Sequence, residues 1–320
     1  MMDFLFLLLG LTVLIIGGDF LVKGAVGFSN KMKISPLVIG MTVVAFGTSA
    51  PELIVSIQSA LNGNSGIAIG NVVGSNIVNI TLVLGVTVLI FPIIADRQSK
   101  RIDLPMMLFA TILFYYFAID GVISFSDGII LFTILIVFIV FLITNSRNKT
   151  KKQESVDTAA VQIPFWKSSA FLGLGLIGLF FGAGWFVEGA VGIADLFLAE
   201  NSDRDIIIGV TVVAFGTSAP ELVASCVAAY RKQTDIALGN LIGSNIFNIF
   251  AVIGLSAFVK PIEVSETALE FDMIWMIGVA VLLAFVLLIG NKIGRLKGAV
   301  LVITYLVYIG LILLKVKGVI

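Results

Sequence analysis

GMTVVAFGTSAPELIVSIQSALNGNSGIAIGNVVGSNIVNI, residues 40–80, is written a second time as GVTVVAFGTSAPELVASCVAAYRKQTDIALGNLIGSNIFNI, residues 209–249. The two stretches align without gaps at a constant offset of 169, with 25 identities in 41 positions. A weaker match precedes them: FLVKGAVG (20–27) against WFVEGAVG (185–192). The chain is therefore two copies of one unit, and the question becomes what solvent that unit is built for.

Composition answers it. Of 320 residues, 59% are hydrophobic and 12% charged, with a mean hydropathy of +1.12. Soluble chains carry roughly 45–50% apolar and about 25% charged residues. Too little polar surface is left to coat a globule, so the expected class is an all-α integral membrane protein. The N-terminal run lacks a basic flank and a small-residue cleavage site and is long for a signal peptide, so it reads as a first span.

A bilayer core of about 30 Å takes roughly 20 helical residues to cross. Apolar stretches of that size fall near 3–28, 34–61, 66–91, 102–119, 121–144, 165–198, 206–230, 235–259, 269–290 and 295–316, ten in all. One polar segment, 145–164, divides a first five-helix repeat (1–144) from a second (165–320) and reads as a flexible linker. An odd number of spans per half forces the second copy to insert upside down. On this map Lys31, Lys33, Arg97, Lys100, Arg101, Arg147, Lys149, Lys151, Lys152, Arg231, Lys232, Lys292, Arg295 and Lys297 fall on one side. Arg204, Lys260, Lys315 and Lys317 fall on the other. The rule that basic loops stay inside makes the first side cytoplasmic, with the linker there and both termini outside the cell membrane.

Much chemistry is excluded at once. With no histidine, there are no HExxH metal sites, Ser/His or Cys/His pairs, or histidine proton relays. The single Cys226 makes neither an intrachain disulfide nor a thiolate cage. The net charge of zero gives no hint of a nucleic-acid partner.

What remains is a set of polar groups at membrane depth. Glu52 and Glu221 sit mid-span at equivalent positions, where a charge costs at least about 2.5–3.5 kcal/mol. Pro51 and Pro220 lack an amide hydrogen, so each helix is expected to kink or break there. The carbonyls of Gly47 and Gly216, and of Ala45 and Ala214 nearby, are expected to lose their intrahelical partners. A bound cation can supply what such carbonyls need. Thr48 and Glu52 are four apart, as are Thr217 and Glu221, so hydroxyl and carboxylate share a face. The second motif, GNxxGSNIxN, contributes Asn71, Ser75, Asn76 and Asn79, then Asn240, Ser244, Asn245 and Asn248. Every donor in the set is a hard oxygen, which suits Ca²⁺ and the similarly sized Na⁺ rather than Zn²⁺ or Cu⁺. Two ionised carboxylates are matched by one Ca²⁺ or by a group of Na⁺ ions, a physical basis for exchange. Asp19, with Lys23 four residues on, reads as a local ion pair or as part of an access path rather than as a ligand.

These residues resemble the two α-repeats of the Ca²⁺/cation antiporter superfamily, with the match strongest to prokaryotic sodium/calcium exchangers. A lone GTSxPE would be weak; GTSAPE and GSNIxN, each present twice at a fixed offset, are specific. The resemblance implies ten transmembrane helices as two inverted five-helix repeats with broken helices at the midplane, working by alternating access. It implies ion ligation by Glu52 and Glu221, by Thr48, Ser49, Thr217 and Ser218, by the carbonyls of Ala45 and Ala214, and by Ser75, Asn79, Ser244 and Asn248. Some members carry aspartate where this chain has Asn248, which removes one acid and bears on potassium co-transport. The expected activity is exchange of Na⁺ for Ca²⁺, with H⁺/Ca²⁺ antiport as the alternative. The expected partners are the two ions and the bilayer. No resident cofactor, catalytic residue or nucleic acid is expected, and a monomer suffices for transport. A channel is disfavoured because two inverted halves provide no rotational filter. An enzyme using Ser49 or Ser218 would lack a base other than a glutamate.

Overall fold

The computed structural model describes residues 2–153, 164–198, 214–290 and 292–316. Helix α1 spans Met2–Met32. The first copy of the motif then folds as α2 (Pro36–Thr48) and α3 (Ala50–Leu61), bent by 45° at their junction. Next come α4 (Ser65–Ile90), α5 (Ser99–Ala118) and α6 (Phe125–Gln153). The second half has α7 (Phe165–Leu198), α8 (Ala214–Thr217), α9 (Ala219–Tyr230), α10 (Thr234–Val259), α11 (Ala268–Leu288) and α12 (Arg295–Val316). Among the described residues, eight helices are long and apolar enough to cross a membrane, and nine when the bent pair counts as one span. The expected seventh span begins in 206–213, outside the described residues; its remainder is α8 and α9. The chain is a multi-pass membrane protein.

Helix breaks fall where proline dictates. Ser49 and Ser218 leave helical geometry, with ψ of 5° and 4°, and the following proline sits in the first turn of a new helix, where a missing amide hydrogen costs nothing. The turn near 119–124 is also real: Gly121 has φ of +85°, a region open to glycine at no steric cost. One expectation is corrected. The 145–164 linker does not begin at 145, because α6 continues to Gln153. The stretch SRNKTKKQ holds no glycine or proline and is rich in good helix formers. The extension is also tied down: Ser146 Oγ accepts the Ser35 amide at 2.8 Å, and Lys149 Nζ donates to Gln98 Oε1 at 3.4 Å.

Four short strands stitch the halves together. Strands β1 (Ile93–Ile94), β2 (Val122–Ile123), β3 (Ile262–Glu263) and β4 (Lys292–Ile293) form two antiparallel pairs, β1 with β4 and β2 with β3. Each pair joins one half to the other.

Close helix contacts are made through glycine. Gly10, Gly17 and Gly24 of α1 repeat every seven residues and face α7, whose Gly175, Gly182 and Gly189 repeat likewise. A Cβ on Gly17 would lie 2.9 Å from Leu179 N, and one on Gly182 would lie 2.8 Å from Leu14 N. Small residues at this spacing let two membrane helices pack backbone to backbone. Helix α10 presses on α2 in the same way, with a Cβ on Gly40 meeting Ile236 O at 2.6 Å. Within α1, Asp19 accepts from Lys23 at 2.8 Å, as the spacing predicted, and also pairs with Arg231, the residue that caps α9. That second partner is not legible in the sequence, because nothing in it places α1 beside α9.

Candidate functional site

The two breaks put the two carboxylates at comparable places. Glu52 lies in the first turn of α3 and Glu221 in the first turn of α9, where the positive end of the helix dipole stabilises an anion. Both side chains are fully buried. Hydroxyls approach both: Ser75 Oγ lies 3.4 Å from Glu52 Oε1, and Ser49 Oγ lies 3.4 Å from Glu221 Oε1. The second of these contacts crosses between halves. Thr48 crosses as well, with its Oγ1 3.1 Å from Asn240 Oδ1 and 3.4 Å from Ser244 Oγ.

Several of the expected ligands hold oxygen that no hydrogen bond uses. Among the described residues, Glu52 Oε2, Glu221 Oε2, Ser218 Oγ, Asn248 Oδ1 and both amide atoms of Asn79 are buried without a partner. A buried carboxylate oxygen left unpaired is costly in a low-dielectric interior. Several such groups in one protein need something to satisfy them, and a bound cation would do so. The two asparagines also begin the widened, π-helical turns Asn79–Val83 and Asn248–Ile253, a local geometry that recurs at functional sites.

The expected residues are thus placed as follows. Glu52, Ser75, Thr48, Ser49, Ser244 and Glu221 are linked by the contacts above. Ser218, Asn79 and Asn248 are fully buried. Thr217 is half-buried and lines a cleft of about 380 Å³ together with Pro51, Trp185 and Glu188. Ala214 starts α8, and its side chain lies outside the described residues. Among the described residues no group of three or more His, Cys, Asp or Glu side chains gathers.

Ala45 requires a correction. Its carbonyl keeps an intrahelical partner, the Ser49 amide at 2.9 Å, and also accepts from Thr48 Oγ1 at 3.3 Å. Pro51 removes only the amide that would have reached Gly47, four residues back. Residue 49 is a serine and retains its N–H. The Ala45 oxygen can take part in ion binding only through lone-pair capacity left by these two bonds.

Sequence reasoning named Asn71 and Asn240 without assigning them to the site. Asn71 Nδ2 donates to the Glu52 carbonyl at 3.0 Å and to Ser56 Oγ at 2.9 Å, and Asn240 Nδ2 donates to Ser225 Oγ at 3.0 Å. These bonds pin α4 to α3 and α10 to α9. Ser56 and Ser225 were missed, although a signal existed: each lies four residues after its glutamate, on the same helical face, in both copies.

Comparison with known proteins bears on the family and the scaffold. The family model described as "Sodium/calcium exchanger protein" matches residues 2–144 and 167–314. The chain is 35% identical over 311 residues to the putative antiporter CaxA of Alkalimonas amylolytica, covering 95% of this chain and 96% of that one. It is 34% identical to the sodium/calcium exchanger MaX1 of Methanosarcina acetivorans over 349 aligned positions, covering 96% and 97%. Among solved structures, the sodium-calcium exchanger NCX_Mj superposes with a TM-score of 0.82 at 33% identity, covering 97% of this chain and 98% of that one. A duplicated oxygen-lined motif, a matching helical scaffold and a family model that spans most of the sequence lead to one assignment: the chain belongs to the sodium/calcium exchanger family, a family of transporters and not of enzymes.

Proposed function

We propose that this protein exchanges Na⁺ for Ca²⁺ across the cell membrane by alternating access, electrogenically and in the direction of Ca²⁺ extrusion. The observation that carries the reading is the pair of buried glutamates, each with an unpartnered oxygen. The site is a buried cluster of oxygens in which both glutamates, Ser218, Asn79 and Asn248 keep an atom that no hydrogen bond uses. Two negative charges are neutralised by one Ca²⁺ or by Na⁺ ions in sequence, and an empty cage is too charged to cross a low-dielectric barrier cheaply. Relatives named sodium/calcium exchangers favour Na⁺ over H⁺ as the counter-ion. Bound ions would be held by Glu52, Glu221, Thr48, Ser49, Thr217, Ser218, Ser75, Asn79, Ser244 and Asn248, with the carbonyls of Ala45 and Ala214.

The strand pairing supports inversion of the halves. Strand β1 ends α4 and β2 ends α5, so a membrane crossing separates them. Strand β3 ends α10, the equivalent of α4, yet pairs with β2. Helices α4 and α10 thus finish on opposite faces. Charge supports the orientation: Arg97, Lys100, Arg101, Lys292, Arg295 and Lys297 flank the β1–β4 ribbon, against Lys260 alone beside the β2–β3 ribbon, where Asp120, Asp127, Glu263, Glu266 and Glu270 also lie. The first ribbon would be cytoplasmic, on the same side as the 145–164 linker.

The test is Ca²⁺ uptake by liposomes loaded with Na⁺ and diluted into Na⁺-free buffer, beside vesicles carrying a pH gradient instead. Na⁺-driven uptake that is lost in Glu52→Gln and in Glu221→Gln is expected. Uptake that follows only the pH gradient would replace Na⁺ by H⁺, and uptake driven by neither would reject the ion assignment.

A further inference from the structure

The two asparagines that end the GSNIxN motifs are equivalent in sequence but not in the fold. Asn248 Nδ2 donates to Asn76 Oδ1 at 3.2 Å. Asn76 Nδ2 in turn points at the main-chain oxygen of Asn245 at 3.5 Å and at Met276 Sδ at 3.7 Å. All three asparagines are essentially fully buried, so water does not compete for these bonds.

This chain of contacts has a direction. A backbone carbonyl only accepts, so Asn76 must turn its NH₂ toward Asn245 and its oxygen toward Asn248. A flip of Asn76 would set oxygen against oxygen and against sulfur. With the Asn76 oxygen fixed, Asn248 must offer its own NH₂ to it, which leaves Asn248 Oδ1 facing away, buried and without a partner. An amide can turn either a donor or an acceptor toward an ion, and only the acceptor is useful to a cation. The polarity of Asn248 is therefore set by a main-chain carbonyl two steps away.

The equivalent relay is not formed in the other half. The counterpart of Asn76 is Asn245, and its Nδ2 donates to Leu241 O at 2.7 Å within its own helix. Asn245 Oδ1 and both amide atoms of Asn79 have no partner. Asn79 is not oriented by any bond among the described residues.

We propose that Asn76 is a positioning residue of the ion site: it holds Asn248 with its oxygen toward the bound cation, while Asn79, lacking such a bond, can present either end of its amide. The proposal rests on the exchange reading above, and it deepens that reading by giving the two symmetric ligands different roles.

A double-mutant cycle tests it, read by direct Ca²⁺ and Na⁺ titration of the purified full-length protein in detergent, where no gradient is needed. Asn76→Leu is expected to weaken Ca²⁺ binding roughly 10–100-fold, the usual effect of losing a residue that orients a metal ligand. In an Asn248→Asp background both side-chain ends are oxygen and orientation no longer matters. There Asn76→Leu is expected to change affinity by no more than about twofold, the scatter of independent sites. Asn245→Leu should cost less than Asn76→Leu. Equal losses in both backgrounds would mean that Asn76 merely fills space and would overturn the proposal, as would an Asn76→Leu protein that binds like the parent. Should the leucine variant not fold, Asn76→Asp, which keeps an acceptor for Asn248, compared with Asn76→Ala reads the same difference. A parent protein that binds neither cation would reject the exchange reading and the positioning role with it, whereas binding that ignores Asn76 rejects the positioning role alone.

Discussion

Gly243→Ala would probe the seam between α10 and the broken α2 directly. A Cβ at Gly243 would sit 2.7 Å from both Met41 Cα and Met41 O and 2.8 Å from Ala45 Cβ. Carbon atoms pack at about 3.5–4.0 Å, so α2 and α10 must part by about 1 Å. Nothing near the clash can simply rotate away, because two of the three atoms are main chain and the third is an alanine methyl. Thr48 rides on α2, and its 3.1 Å bond to Asn240 would stretch to near 4 Å and be lost. Overpacking costs about 1–3 kcal/mol, and the lost hydrogen bond adds about 0.5–1.5 kcal/mol. At about 2–4 °C per kcal/mol, the melting temperature in detergent should fall by roughly 3–18 °C. Displacing the helix that carries Thr48, a proposed ligand, by about 1 Å should also weaken Ca²⁺ binding, by up to about 100-fold. Thermal unfolding followed by Trp fluorescence, with Ca²⁺ titration alongside, measures both. A variant that melts within about 1 °C of the parent and binds Ca²⁺ within about twofold, the limits of an unfelt substitution, would refute the close approach of these helices and the placement of Thr48 built on it.

Other expectations follow from the same contacts. Glu52→Gln and Glu221→Gln each remove one charge from a buried anionic pair, so Ca²⁺ affinity measured by calorimetry should drop at least about 30-fold, corresponding to about 2 kcal/mol or more. Asn71→Leu leaves the Glu52 carbonyl and Ser56 without their donor, and the melting temperature should fall by an amount equivalent to about 1–3 kcal/mol. Asp19→Asn, by contrast, breaks ion pairs whose side chains are 26–39% exposed, and its effect on melting should stay under about 1 kcal/mol and shrink with added salt. Gly17→Leu should prevent α1 from docking on α7, read as loss of the monodisperse peak in size-exclusion chromatography, since Leu179 N lies 2.9 Å from where a Cβ would go.

Much of this was legible in the chain because a membrane makes polar residues conspicuous. Glu52, Glu221 and the duplicated hydroxyls stand out against apolar surroundings, and the proline after Ser49 announces a break that the backbone makes. The limits of legibility are equally physical. Which carbonyl a proline strands depends on strict i to i−4 bookkeeping, and extending that loss from Gly47 to Ala45 overlooked the intact amide of Ser49. The end of α6 was misjudged because polar composition resembles a loop, whereas Ser146 and Lys149 find partners on the core only once the fold exists. The π-helical turns at Asn79 and Asn248 have no local signature, since they arise from packing. The pairing of Asp19 with Arg231 and the Asn248–Asn76 bond link the two halves, and no window along the sequence brings their residues together.

The two ribbons carry a consequence for how the protein is made. Strand β1 must wait for Ile293 and β2 for Ile262 before its main-chain groups are paired. At the usual pace of synthesis, about 5–20 residues per second, the first wait lasts on the order of 10–40 s. During that time the first half stands in the bilayer with β1 and β2 unpaired and without the Thr48–Asn240 and Ser49–Glu221 contacts. Contacts so distant in sequence are slow to form. A chain arrested before residue 262 would have neither ribbon, a natural target for membrane quality-control proteases.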